Sequence, residues 1–162
     1  MAKNEFLKEC IADAFLILLK EKNPEKITAQ EIAQAAGVGR ATYFRNFGSK
    51  EETLAFALVH LWNKWTDERI DSKTIRNNIE DFFQFNYENR ELIKRIYEVH
   101  YEHTIYKAFF QILNEYPSYN PLEAYLTRFA AYGLFGLLEE WVARDFKEEP
   151  SQLADFVDNH IF

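Results

Sequence analysis

Residues 28–50 constrain this chain more than any other stretch: TAQEIAQAAGVGRATYFRNFGSK, two short helical patterns joined by Gly-Val-Gly. Thr28 stands as an N-cap, and Glu31 three residues on completes a capping box that satisfies free backbone donors. Ile32, Ala33 and Ala36 give the first helix an apolar face, and Gly37 ends it where a positive φ is needed. Val38 plugs the turn. From Gly39 a second helix begins, in which Thr42, Tyr43, Arg45 and Asn46 supply donors while Phe44 and Phe47 remain for packing. The pattern predicts a helix-turn-helix whose second helix enters the major groove of DNA.

Charge is divided along the chain in the sense this reading requires. Between positions 37 and 50 stand three cations, Arg40, Arg45 and Lys50, and no acid. Residues 1–50 carry eight Lys/Arg against six Asp/Glu, whereas residues 51–162 carry eleven against twenty, for a net charge of −7 overall. Acid is thus concentrated behind a locally basic tip, and it is the tip that would meet phosphate.

Only five Gly and four Pro occur in 162 residues, which favours long helices over a sheet with its many turns. A hydrophobic content of 48% is ample for a core. The longest apolar runs, 14–19 and 132–138, fall well short of the roughly 20 residues that span a bilayer. No signal-peptide pattern opens the sequence, and the single Cys10 cannot form an intrachain disulfide, so a cytoplasmic protein without a membrane partner is expected.

Helical periodicity predicts a first helix over 3–22, stopped by Asn23-Pro24. Ser49 and Glu52 repeat the capping device and open a long helix over 50–70. Aromatic-rich helices are expected at 73–87, 89–103 and 104–116. Pro117 and Pro121 bracket a loop, and Asn120 caps a helix running to 144. A last helix starts near Pro150. The fold class is therefore all-α, with about nine helices: an N-terminal three-helix DNA-binding domain, 1–48, and a helical effector-binding and dimerisation domain, 49–162.

This layout resembles the TetR/AcrR family of one-component transcriptional regulators. The resemblance is strongest over 11–58, in the leading amphipathic helix, the IAQAAGV turn, the Thr-aromatic-aromatic recognition helix and the F-x-S-K-E-E opening of the fourth helix. It implies a homodimer that binds a palindromic double-stranded DNA operator and answers a small-molecule effector, most often as a repressor. Arg40, Thr42, Arg45 and Asn46 match positions that read bases or touch backbone in the family. One departure stands out. The family commonly places Tyr one position after the hydrophobic residue of the recognition helix, to bond phosphate, whereas here Tyr43 and Phe44 stand in the opposite order.

The expected DNA-facing set is Thr28, Arg40, Ala41, Thr42, Tyr43, Arg45, Asn46 and Lys50. Arginine pairs bidentately with guanine, threonine meets a thymine methyl, and Lys50 at a helix start suits phosphate. Over 97–110 rings, two histidines and carboxylates crowd a few turns, and Trp62, Tyr97, Tyr101 and Phe110 are expected to line an effector pocket. His100 and His103 lack the fixed acid partners of a metal site, so neither metal nor cofactor is expected. Leu122, Tyr125, Leu126, Phe129, Gly133, Gly136, Leu137 and Trp141 form one stripe, suited to a two-fold four-helix interface. No nucleophile elbow, phosphate loop or ligand set marks an enzyme. The alternative from another class is a coactivator that keeps this fold but acts through protein contacts.

Overall fold

The computed structural model describes residues 2–69, 78–114 and 120–160. Among these, nine α-helices and one 3-10 turn account for all regular structure, and there is no strand. Helix α1 spans Ala2–Glu21, the 3-10 turn Pro24–Lys26, α2 Ala29–Ala35, α3 Arg40–Asn46 and α4 Lys50–Asp67. They are followed by α5 Asn78–Glu88, α6 Arg90–Glu98, α7 Glu102–Leu113, α8 Pro121–Ala143 and α9 Pro150–His160. The start expected at 73 and most of the loop before Pro121 lie outside the described residues.

The N-terminal core forms where α1, α2, α3 and α4 meet. Ile11, Phe15 and Leu19 recur on one face of α1 and are fully buried against Ile32, Tyr43, Phe47 and Leu54. Phe6, near the start of α1, is exposed. Helix α4 packs on α1 and also on α7, so it is shared between the two ends of the molecule. Further along, α5 lies on α9 and α7 on α8.

Aromatic packing dominates the part of the core formed by the later helices. Trp141 of α8 is 1% exposed, with Phe83, Tyr87 and Phe146 around it and its Nε1–H donated to the Glu148 carbonyl at 3.1 Å. It is therefore an intrachain core residue, which corrects its expected place in a dimer face. The chain reversal after α8 explains why. Phe146 N–H bonds the Trp141 carbonyl and Asp145 N–H the Val142 carbonyl, the paired bonds of a Schellman cap whose apolar contact is Trp141 on Phe146.

Candidate nucleic-acid interface

Helix α2 ends in the same motif. Val38 N–H bonds the Ala33 carbonyl at 2.9 Å and Gly37 N–H the Gln34 carbonyl at 3.0 Å, with Gly37 at φ 68°. A side chain there would carry left-handed strain, so glycine sets the angle at which α3 leaves. The capping box before α2 is complete. Thr28 Oγ accepts the Glu31 N–H at 3.2 Å, and Glu31 accepts from the Thr28 N–H at 2.8 Å and hydroxyl at 2.9 Å. The Lys22 ammonium, then the Thr28 N–H and hydroxyl, hold the Glu31 carboxyl down at about 2. The Thr28 hydroxyl is thus committed beside a carboxylate, an unfavourable place for phosphate, and its expected DNA contact is not carried forward.

Periodicity divides α3 into two faces. Positions 43, 46 and 47 point inward at i, i+3 and i+4 spacing, which leaves 40, 41, 44 and 45 outward. Tyr43 is 0% exposed and its hydroxyl meets Thr53 Oγ1 at 2.7 Å. Thr53 in turn donates to the Ser49 carbonyl at 2.9 Å, so the Tyr43 hydroxyl is the donor to Thr53. Burial, the largest cause, raises its pKa. This corrects the expectation that Tyr43 meets DNA, and it gives the inverted order a cause: tyrosine serves the core because Thr53 waits there for its hydroxyl. Asn46 is likewise corrected, being buried with its Nδ2 donating to the Thr42 carbonyl at 2.8 Å.

Lys50 requires a third correction. Its ammonium turns inward and donates to the carbonyls of Pro24, Ile27 and Glu25 at 2.8, 3.1 and 3.4 Å, and the Tyr101 ring lies 5.3 Å from it. All three protons are spent on backbone. Lys50→Gln is therefore expected to cost about 1.5–3 kcal/mol of unfolding free energy, the range for bonds to a charged group. It should leave the salt dependence of DNA binding unchanged. A slope reduced by about 0.9 per protomer would return Lys50 to the phosphate-facing set.

The outward face of α3 then consists of Arg40, Ala41, Phe44 and Arg45, all exposed, with Thr42 half-buried at its margin. Among the described residues neither arginine pairs with a carboxylate; Arg40 lies against the Phe44 ring, its guanidinium 5.4 Å from the centroid. Two free cations and a ring on one helical surface, with no acid between positions 37 and 50, suit a polyanion with readable edges.

The four expected effector residues do not converge. Tyr101 sits at Lys50, the first residue of α4, whereas Trp62 lies twelve positions on, about 18 Å along the same helix. Trp62 stacks on Trp65 and meets Phe85 edge-on. Tyr97 has its hydroxyl buried without a partner, and burial first, then Glu139 and Glu102, drives its pKa upward. Phe110 lines an open cleft of about 380 Å³ between α4 and α7, with Val59, Asn63, Gln111, Ile112 and Asn114. No group of three or more His, Cys, Asp or Glu among the described residues is placed to hold a metal, and none of the described helices is long and apolar enough to cross a membrane.

On α8, Leu122, Tyr125, Leu126 and Phe129 are between 65% and 75% exposed. Gly133 and Gly136 continue the stripe, and among the described residues a Cβ built on either meets nothing within 4 Å. Leu137 is half-buried and packs toward the core.

Sequence reasoning missed two anchors. Arg95 of α6 donates to the Leu19 and Lys20 carbonyls at 2.5 and 2.6 Å, capping the end of α1, and Lys50 clamps the 3-10 turn. Their partners are backbone oxygens far away in sequence, which no local pattern announces.

Comparison with known proteins places these features in a family. Residues 11–55 match the family model for bacterial regulatory proteins of the tetR family. Residues 73–162 match a second, the C-terminal region of transcriptional regulators of the same family. No curated protein matches. With one model covering the helix-turn-helix and the other more than half of the chain behind it, the chain belongs to the tetR family of bacterial regulatory proteins and is a DNA-binding transcriptional regulator.

Proposed function

We propose that the protein acts as a homodimeric repressor, binding an imperfectly palindromic operator through paired α3 helices and releasing it when a small molecule binds. The observation that carries the DNA half of this reading is the outward Arg40–Phe44–Arg45 surface, free of carboxylate partners among the described residues. Arg40, Thr42 and Arg45 contact bases or backbone, and Ala41 lets the helix approach closely. The exposed stripe on α8 covers itself against a second copy, holding two α3 helices about one DNA turn, roughly 34–36 Å, apart.

An effector enters the cleft beside Phe110, whose volume of about 380 Å³ suits a small ligand. That cleft lies between α4 and α7, and α4 also packs on α1. A ligand that favours a shifted α4 changes the spacing of the recognition helices and lowers operator affinity. Arg95 and Lys50 carry the shift, since both tie the N-terminal half to elements around α6.

Selection of bound fragments from random duplex DNA with the purified full chain tests the reading. The expected product is a pair of inverted half-sites about one helical turn apart. Recovery of no preferred sequence would overturn it and favour a coactivator working through protein contacts.

A further inference from the structure

The DNA-facing surface of α3 carries a large apolar ring between its two cations. Phe44 is 46% exposed, although Tyr43 and Phe47 beside it are buried. Its position is defined on two sides. The buried Tyr43 ring meets it at right angles, centroids 5.2 Å apart, and the Arg40 guanidinium lies 5.4 Å from its centroid. What remains of the ring faces whatever the helix docks against.

A phenyl ring neither donates nor accepts a conventional hydrogen bond, so phosphate oxygens and the polar atoms of the base edges offer it little. The major groove presents one apolar group, the 5-methyl of thymine. Resting on the DNA-binding reading above, we propose that Phe44 is a specificity-determining residue that packs on a thymine 5-methyl, in the base pair next to a guanine held by Arg40. The separation of 5.4 Å between guanidinium and ring is less than two base-pair steps of about 3.4 Å. One pair cannot contain both thymine and guanine, so the two contacts fall on neighbouring pairs. The phosphate bond that a tyrosine would make at position 44 is thereby exchanged for a sequence-reading contact.

The test uses the full chain and the best duplex selected from random DNA, with each half-site thymine replaced in turn by uracil. That change removes one methyl and keeps every hydrogen-bonding group. Wild-type protein should lose about fourfold in affinity at one position per half-site, the worth of one buried methyl-sized group, and roughly 15-fold when both half-sites are changed. Phe44→Ala should show no difference between thymine and uracil there, while Phe44→Leu, still apolar, should retain it. Indifference of the wild type to uracil at every position, or selected half-sites without thymine, overturns the proposal but leaves DNA recognition standing. A thymine preference that persists in Phe44→Ala also overturns it, because another group then reads the methyl. Failure to select any site sinks the DNA-binding reading and this proposal together.

Discussion

Replacing Arg40 and Arg45 together by alanine is expected to raise the operator dissociation constant on the order of a hundredfold or more while the protein stays folded. Each arginine that reads a base edge bidentately contributes about 1–3 kcal/mol, and the loss is repeated in both half-sites. The fold should tolerate the change because both side chains are exposed and neither neutralises a carboxylate among the described residues. The contact forfeited among the described residues, Arg40 on Phe44, is an exposed cation–ring pair worth on the order of 0.5 kcal/mol. Thermal unfolding therefore separates this result from a trivial loss of structure. A matching pair of lysine variants separates charge from reading: lysine keeps the electrostatic attraction and its salt dependence but lacks the planar fork, so affinity for random duplex should persist while preference for the selected site falls. Unchanged operator binding of the alanine pair at matched salt would remove α3 from the interface.

How far the sequence foretold this surface depends on which force placed each residue. Helix order and the turn were legible because their signals are local: the Thr28–Glu31 box, Gly37 in the left-handed region and Asn120-Pro121 at the start of α8 all act within a few residues. Donor chemistry alone misled at Tyr43 and Asn46. Both can hydrogen-bond, yet both lie on the inward stripe with Phe47, and a strict count of i, i+3 and i+4 positions would have turned them from solvent. Lys50 was harder. Its three carbonyl acceptors belong to a 3-10 turn more than twenty residues earlier, and a cation at a helix start reads as a phosphate contact until tertiary structure supplies those oxygens. Trp141 failed for a similar reason, since its spacing extends the exposed stripe of its helix, but the cap at 144–146 folds Phe146 back over it. The effector residues were grouped by aromatic content, a property shared by cores and pockets alike, and the length of α4 alone keeps Tyr101 from Trp62.

Phe129→Glu should yield a monomer by light scattering at micromolar concentration, with operator affinity reduced at least a hundredfold. A two-fold interface presents every residue twice, so the substitution sets two carboxylates against an apolar partner surface and against each other. Operator affinity falls with assembly because linked half-sites bind at an effective concentration near millimolar, an advantage that a free monomer lacks. The isolated subunit should be indifferent, since Phe129 is 65% exposed within it. Gly133 and Gly136 sharpen the point. Glycine inside a helix costs on the order of 1 kcal/mol relative to alanine, yet among the described residues nothing lies within 4 Å of a Cβ built at either position. On the proposed homodimer, the reason for tolerating that cost is the close approach of a second α8. Alanine at both positions should therefore stabilise the monomeric Phe129→Glu background by up to about 2 kcal/mol, while weakening dimerisation when introduced into the wild type. Effects of one sign in both backgrounds would mean that the stripe serves only its own chain.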